Sequence, residues 1–532
     1  KYSSDTLNKT AIVLADEKLL IPIINSLPPN INSVNITMGV PLNTFQLTTF
    51  FELLLASHLY PKTSLYYKDV LAILNQPAAT FLVPDTNKII GAINAQNISH
   101  LTLESLHSFS EIQHSKLIEQ IFGNWKNDSA KAIHNCLQLL ELISTKLVDN
   151  PIEHSVSIEL YQTFSKISSL NTSFSYLNSV KTVSSLFSEI AANTTLDFKG
   201  DAYNGLQIMG ILETRVLDFE NVIITSVNEG ILPAGKSNAS FITHDLKQQF
   251  GLPRYTEKDA IYTYHFYHLL HRSKNITLLY NNQSDGINAG EKSRFIYQLE
   301  IEKHPNHSID KIILAPQIKI ETKVAKSISK TENVMARLKE ISKKGFSPSA
   351  LSSYVRNPID FYYQKILKVS EFEEVEEMVA ANTLGTIVHD TLEVFYKPLE
   401  GAFLSLEILS SLKKRINSEV KKQFDITFKK GTIDKGKNLI IFEVAKRYIS
   451  NFINFEISEI KAGNTIKIIQ IEATLEVPVP ISELDFPVKI GGKVDRVDEY
   501  NGQIRIIDYK TGKVELNDLA ISNWALITTD YR

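Results

Sequence analysis

Two carboxylates and a lysine near the end of the sequence have the types and spacing to hold a metal ion beside a positive charge. Asp495 lies in Gly491–Asp498, and Asp508 and Lys510 follow in Ile506–Gly512. Because side chains alternate along a strand, a strand through the second stretch places Asp508 and Lys510 on one face. Asp495 lies thirteen residues before Asp508, a spacing that suits a hairpin. Two converging carboxylates can bind a divalent ion, and a lysine can stabilise an anionic transition state, so the pattern is typical of a nuclease.

These motifs also resemble a known family. Gly-x-x-Asp-Arg-x-Asp followed by Asp-Tyr-Lys-Thr-Gly resembles the nuclease domain of the RecB/AddB branch of the PD-(D/E)XK superfamily. Further motifs of that branch occur upstream in order, at Ser347–Leu351 with Tyr354, at Asn357–Tyr362 and at Leu384–His389. The resemblance runs from about Phe346 to the end of the chain. It implies a restriction-endonuclease-like α/β nuclease domain in that region.

The resemblance also implies roles for individual residues. It implies an active site of His389, Asp495, Asp508 and Lys510. It further implies a Mg²⁺ or Mn²⁺ ion bound by His389, both aspartates and the backbone carbonyl of Tyr509.

His389 has a more ordinary interpretation, because a histidine on an amphipathic helix is usually a polar-face or core residue. An apolar stripe does run along this helix, through Leu384, Val388, Leu392 and Phe395. His389 stands off the stripe, and Gly385, one turn earlier, leaves its face open to close approach. Neutral imidazole is a common metal ligand, so we favour the ligand interpretation.

Glu472 lies in the alternating stretch Ile468–Val477, on the polar side with Gln470, Thr474 and Glu476. A solvated strand face explains this position, and so does a role in or just behind the metal site. The sequence leaves both interpretations open.

The sequence departs from the family in two places. Many AddB-type nucleases hold an iron–sulfur cluster through four cysteines, the first in a Cys-Pro dipeptide before the active site. Here that dipeptide is Asn357-Pro358, and the single cysteine of the chain is Cys136. Such a cluster needs thiolate ligands, so we expect no iron–sulfur cluster. The family also continues past the lysine into a helix with a Gln-x-x-x-Tyr motif. No clear copy precedes Arg532, so we expect the nuclease domain to be C-terminally incomplete.

Composition is that of a large globular protein. The 532 residues suffice for about three or four domains of about 150 residues each. A hydrophobic content of 43% and a charged content of 22% are ordinary. No apolar run reaches the ~20 residues that span a bilayer, and the first residues are no signal peptide. One cysteine excludes a disulfide framework. We therefore expect a cytoplasmic protein with no membrane partner, and the missing initiator Met indicates a piece of a longer chain.

The net charge of −3 does not by itself indicate nucleic-acid binding, but the basic residues are unevenly distributed. A basic cluster lies between the histidine helix and the predicted catalytic strands, and consists of Lys413, Lys414, Arg415, Lys421, Lys422, Lys429, Lys430, Lys435 and Lys437. It is explained equally well by a solvated helix face and by a surface that attracts phosphates.

The N-terminal half predicts an α/β lobe interrupted by helices. We predict strands at Thr10–Ala15 and Val34–Thr37, a helix at Asp16–Leu27, a mainly helical region over 41–189, and a buried strand at Val222–Thr225. A helical insertion inside an α/β domain fits the accessory lobe of superfamily 1 helicases. Residues 210–233 and 262–280 are similar to the late helicase motifs of UvrD- and AddB-like proteins.

These patterns predict four regions. They are a degenerate helicase-like α/β lobe at 1–40 and 190–325, a helical insertion at 41–189, a linker helix at 326–345 and the nuclease domain at 346–532.

A Walker A pattern in the lobe, Gly230–Ser237, follows a strand. However, polar Asn228 and Glu229 separate strand from loop, and a turn-like stretch follows where a phosphate loop needs a helix. His271 also stands where helicases carry an arginine for the γ-phosphate, with Arg272 beside it. We therefore expect no ATP site in this chain and an inactivated helicase scaffold, as in AddB.

Together these inferences predict the C-terminal part of an AddB-like subunit. It would act as a Mg²⁺-dependent exonuclease on DNA during double-strand-break repair and recombination, beside an AddA-like helicase/nuclease partner that carries the ATP motor. A non-catalytic DNA-binding subunit and an ATP-driven helicase are the alternatives. Intact Asp495, Asp508 and Lys510 argue against the first, and the missing N-terminal motor argues against the second.

Overall fold

The structure is a computed structural model that describes residues 4–31, 33–60, 63–174, 176–197, 204–234, 242–252, 255–283, 290–315, 327–370, 374–515 and 523. The strands are β1 (Thr10–Leu14), β2 (Val34–Ile36), β3 (Val40–Pro41), β4 (Leu65–Tyr66), β5 (His100–Leu101), β6 (Thr195–Leu196), β7 (Leu206–Gly210), β8 (Asn221–Thr225), β9 (Asn275–Leu278), β10 (Ile466–Val479), β11 (Val488–Tyr500) and β12 (Gln503–Ile507).

The α-helices are α1 (Ser4–Asn8), α2 (Leu20–Ser26), α3 (Gln46–Ser57), α4 (Tyr67–Leu74), α5 (Pro77–Leu82), α6 (Thr86–Ala95), α7 (Leu103–Phe109), α8 (Ser115–Phe122), α9 (Ser129–Lys146), α10 (Pro151–Phe174), α11 (Val180–Asn193), α12 (His244–Gln249), α13 (Tyr255–His271), α14 (Arg294–Ile301), α15 (Glu332–Lys344), α16 (Pro348–Arg356), α17 (Pro358–Phe361), α18 (Ala381–Tyr396), α19 (Leu406–Thr427) and α20 (Gly436–Lys461). Within the described residues, none of these helices combines the length and hydropathy that crossing a membrane requires. Together the strands and helices make this a mixed α/β protein with many helices.

The chain divides into two compact units. The first consists of Lys1–Pro61, Gln76–Leu82 and Trp125–Ile318, and the second of Lys62–Asn75, Val83–Asn124 and Lys319–Arg532. The region predicted as one helical insertion, 41–189, is thus shared between the units. Helices α4 and α6–α8 belong to the unit that contains the C-terminal motifs.

A parallel sheet of order β2-β7-β1-β8-β9 organises the first unit. Its inner strand β7 is buried at every residue, as expected where both faces of a parallel sheet are covered. The predicted strands at Thr10–Ala15, Val34–Thr37 and Val222–Thr225 are confirmed within a residue at their ends. The predicted helix at Asp16–Leu27 is instead a 3₁₀ turn, whose start is capped by the Asp16 carboxylate, followed by α2.

The helicase interpretation of this unit stays a prediction. Residues 235–237 of the Walker A pattern, Lys236 among them, lie outside the described residues. Arg272, just past the end of α13, pairs with Asp218 through Nη1 and Oδ2 at 2.8 Å.

An antiparallel sheet of order β10-β11-β12 and the helices α18–α20 form the centre of the second unit. Strands β11 and β12 are joined by Asn501 and Gly502, which have φ of 49° and 84° as a tight two-residue hairpin requires. The helices bury one face each, and Ile387, Leu392 and Phe395 of α18 lie in the shared core. The predicted hairpin and histidine helix are thus both present.

Polar caps start the helices that precede the site. The Ser347 hydroxyl accepts a hydrogen bond from the Ala350 amide at the start of α16, and the Asn357 side chain accepts one from the Ile359 amide at the start of α17. Asn357, which the resemblance to AddB-type nucleases aligns with their first cluster cysteine, therefore has a local capping role. Phe361 at the end of α17 is buried.

Candidate metal centre

Three elements and one chain segment bring the candidate ligands together. Helix α18 supplies His389, β10 supplies Glu472, β11 supplies Asp495, and Tyr509 lies just after β12. Among the described residues, His389, Glu472 and Asp495 each offer a ligand atom, and these atoms lie within 4.8 Å of one another. The side chains of His389 and Asp495 are 27% and 14% exposed, so the group is sheltered but reachable from solvent.

A closed set of contacts fixes His389, Asp495 and Tyr509. His389 Nδ1 lies 3.2 Å from Asp495 Oδ1, and His389 Nε2 lies 2.7 Å from the carbonyl oxygen of Tyr509. The amide of Tyr509 donates to Asp495 Oδ2 at 2.6 Å. The carbonyl predicted as a backbone ligand therefore faces the predicted histidine, and one oxygen of Asp495 is oriented by the same peptide segment.

Glu472 lies across from Asp495, between the paired residues Ile471–Arg496 and Ala473–Val494. Its backbone φ is +55°, a left-handed conformation that costs a residue with a side chain on the order of 1 kcal/mol. Its side chain is 12% exposed and pairs with the Lys493 ammonium. Glu472, which the sequence left open between solvent and site, lies in the group.

Asp508 and Lys510 lie beside this group. The strand predicted through Asp508–Lys510 ends at Ile507, because the amide and carbonyl of Tyr509 bond Asp495 and His389 rather than a neighbouring strand. Asp508 and Lys510 still share a side, since Oδ2 and Nζ are 2.7 Å apart. Their side chains are 58% and 62% exposed, and the Asp508 carboxylate lies outside the three-residue group.

The surroundings of the group are rich in negative charge. Burial raises the pKa of the Asp390 carboxyl, and the carboxylates of Glu393 and Glu472 raise it further. A cation among these groups would relieve their mutual repulsion. Two carboxylates, a carbonyl and one imidazole also form a donor set suited to Mg²⁺ or Mn²⁺, so the residues present fit a divalent ion.

The turn after Lys510 lies beside Gly385 of α18. A Cβ added at Gly385 would meet the Thr511 hydroxyl at 3.5 Å, an ordinary contact distance. The turn after Lys510 therefore contacts α18 at this glycine, and the space there would also accept the methyl group of an alanine.

A buried ionic network behind the group was missed by the sequence analysis. Arg496 is fully buried and donates to Glu456 Oε1 and Asp498 Oδ2, each at 2.6 Å. The Tyr396 hydroxyl also donates to Glu456, and Arg505 donates to Asp498. A signal was present, since Glu456 continues the buried stripe of α20 through Ala445, Ile449 and Ile453.

The basic cluster lies on exposed surface. Along α19, Leu412, Ile416 and Val420 are buried, whereas the opposite face exposes Lys414, Arg415, Lys421 and Lys422. Lys413 is also exposed and its ammonium donates to Asn454 Oδ1 at 2.8 Å. The arrangement is compatible with both interpretations that the sequence left open.

Comparison with known proteins agrees with the geometry. Residues 345–525 match the sequence model of the PD-(D/E)XK nuclease superfamily. An uncharacterized protein of Rickettsia felis is 29% identical over 174 residues, and an uncharacterized protein of Rickettsia typhi is 27% identical over 188 residues. Each of these alignments covers 31% of this chain and 19% of the relative's length. Residues 345–525 therefore form a domain of the PD-(D/E)XK nuclease superfamily.

Proposed function

We propose that this domain hydrolyses phosphodiester bonds of DNA with the help of Mg²⁺ or Mn²⁺. The observation that carries the proposal is the convergence of His389, Glu472 and Asp495 beside the Tyr509 carbonyl, inside a nuclease-superfamily domain. The proposed ligands are His389, Asp495, the Tyr509 carbonyl and Asp508. Asp508 lies outside the three-residue group in this structure, and Glu472 is a further candidate ligand within it. The bound ion would activate the attacking water and neutralise charge on the phosphate.

The protein's own residues would prepare the site for this chemistry. The Tyr509 peptide holds one oxygen of Asp495 and the His389 ring in place, which removes the cost of ordering them when substrate binds. Lys510 carries an exposed ammonium held by Asp508. A positive charge there would stabilise the negative charge that develops on the phosphate during cleavage.

The larger context of the proposal is an AddB-like subunit. We infer that the domain works as an exonuclease at double-strand breaks, beside an AddA-like partner that carries the ATP motor, and that residues 1–40 and 190–325 are a degenerate helicase-like lobe. The order of four RecB/AddB-type motifs between Ser347 and Gly512 supports this. A non-catalytic DNA-binding subunit is the second candidate, and the exposure of Asp508 outside the three-residue group favours it.

Removing divalent metal is expected to abolish cleavage. The purified chain should degrade linear DNA in the presence of Mg²⁺ or Mn²⁺. Cleavage should stop when EDTA is added and resume when the metal is restored. Covalently closed circular DNA should not be cleaved, as expected for an exonuclease. His389→Ala should reduce the rate at least about tenfold at limiting metal, because a ligand is lost. The matched control is His134→Ala, which removes an exposed histidine of α9. Cleavage that persists in EDTA contradicts the proposal, and metal-independent DNA binding without cleavage favours the second candidate.

The exposed basic face of α19 is expected to contact DNA phosphates. Each lysine lost from such a contact lowers the slope of log affinity against log salt by about 1. Lys414→Ala combined with Lys421→Ala should therefore weaken DNA binding and flatten this slope by about 2, as measured by fluorescence anisotropy. Lys343→Ala combined with Lys344→Ala removes equal charge from the exposed end of α15 as a control. If the two double variants gave equal slopes of log affinity against log salt, the α19 face would not contact DNA and would be a solvated helix face.

A further inference from the structure

A helical segment from the N-terminal half belongs to the same compact unit as the nuclease domain. We name its described residues, 63–75 and 83–124, the clamp segment, and we propose that it positions α18 and thereby His389. The proposal rests on the proposed function, because it concerns the same metal site. Its residues would act through His389 rather than touch the metal or the DNA.

The first contact of the clamp segment is with Glu377. Three donors converge on Glu377 Oε1: the Tyr66 hydroxyl at 2.7 Å, the Tyr67 hydroxyl at 2.9 Å and the Lys68 ammonium at 2.7 Å. Hydrogen bonding from Lys68, then from the two tyrosines, lowers the pKa of Glu377 to about 2. The carboxylate is therefore charged at any working pH. Because it is 41% exposed, this contact specifies where the segment docks more than it adds stability.

The second contact is made by Asn97, which is buried. Its Oδ1 accepts from the Glu376 amide at 2.7 Å, and its Nδ2 donates to the Phe428 carbonyl at 3.0 Å. The neighbouring carbonyl of Gln96 accepts from the Lys430 amide at 3.2 Å. One side chain thus ties together the loop before α18 and the turn after α19. The backbone of Asn97 has a left-handed φ of 53°, a conformation that asparagine tolerates well.

Glu376 transmits this contact to α18. The residue before the helix, Ala380, has no side chain that can cap it. The Glu376 carboxylate supplies the cap instead, accepting from the Ala380 amide and, at 2.9 Å, from the Thr383 hydroxyl. Asn97 therefore holds the backbone of the residue whose side chain caps α18.

His389 lies about two turns beyond the start of α18, on a single uninterrupted helix. A shift at the capped end would be carried along the helix to the ring, which lies 2.7 Å from the Tyr509 carbonyl. Metal sites tolerate errors of only about 0.5 Å in ligand position. Asn438 also holds the loop, accepting from the Val379 amide at 3.1 Å, so the test must show that Asn97 adds to this restraint.

The test uses full-length variants and Mn²⁺ alone as the probe. Asn97→Ala should weaken Mn²⁺ binding at least about fivefold in calorimetric titration and lower kcat, with KM for DNA unchanged. Asn97→Asp keeps the acceptor for the Glu376 amide and should recover part of the Mn²⁺ affinity. The control Thr102→Ala removes the cap of α7 in the same segment, where Thr102 Oγ1 accepts from the Ser105 amide at 3.2 Å. It should leave Mn²⁺ affinity and kcat unchanged.

Two results would overturn this inference and leave the proposed function standing. In one, the wild-type chain binds Mn²⁺ and Asn97→Ala binds it equally well. In the other, Asn97→Ala and Thr102→Ala weaken Mn²⁺ binding alike, which indicates general loss of stability. If Asn97→Ala does not fold, Tyr66→Phe combined with Tyr67→Phe removes two donors to Glu377 and is judged by the same criteria. A wild-type chain that binds no Mn²⁺ would refute the proposed function as well.

Discussion

Replacing Asp495 with asparagine is expected to lower DNA cleavage by about a hundredfold or more. Asparagine keeps the size of the side chain, and its amide oxygen can still accept from the Tyr509 amide at the position of Asp495 Oδ2. The substitution removes the negative charge. It also replaces Oδ1, which lies 3.2 Å from His389 Nδ1, with an amide nitrogen that cannot bind a metal ion. The rate is measured under single-turnover conditions over a series of Mn²⁺ concentrations.

Asp485→Asn is the matched control for this change. It makes the same substitution between β10 and β11, where Asp485 is 82% exposed and only loosely paired with Lys339. The control should cleave like the wild type at every Mn²⁺ concentration. If Asp495→Asn also did so, the candidate metal centre would have to be assigned elsewhere.

The local part of this site could be predicted from the sequence. Asp495 and Asp508 are joined by a hairpin, and both the turn residues and the spacing that specify it are contiguous in the chain. His389 could be placed on a helix because the apolar residues around it repeat with helical period. The family match over 345–525 agrees with the motifs that carried the prediction.

Contacts between distant residues could not be predicted in this way. Asn97 and Glu376 are 279 residues apart, and nothing in the sequence near Asn97 indicates its partner. Glu472 faces Asp495 because of strand register, with an irregularity between Ile468 and Gln470 that shifts the alternation. The predicted strand through Asp508 failed because backbone groups of Tyr509 bond side chains, which propensity does not report.

Replacing Arg496 with methionine is expected to cost about 3–5 kcal/mol of local stability, because Glu456 and Asp498 would stay buried without their shared partner. Arg496 also stacks over the Tyr396 ring at 4.9 Å, and that contact would be weakened. The chain has two compact units, so a single melting temperature would not report this loss. Native-state hydrogen exchange of the β11 amides measures it directly.

A double-mutant cycle separates the ion pair from simple loss of packing. Glu456→Leu alone should also be costly, because it leaves the Arg496 charge short of a partner. The double variant Arg496→Met with Glu456→Leu should lose less stability than the two single variants lose in sum, because neither charge of the pair is then left buried without its partner. Arg505→Met is the control, because Arg505 binds the same Asp498 but is 35% exposed, and should cost about 1 kcal/mol. Additive costs for Arg496 and Glu456 would mean that the two charges are not coupled.

The buried network also contacts the segment that orients Asp495. The Phe452 ring lies 5.2 Å from the Tyr509 ring and 5.9 Å from the Arg496 guanidinium. Loss of the Arg496 ion pairs should therefore also loosen the packing of Tyr509, whose peptide orients Asp495.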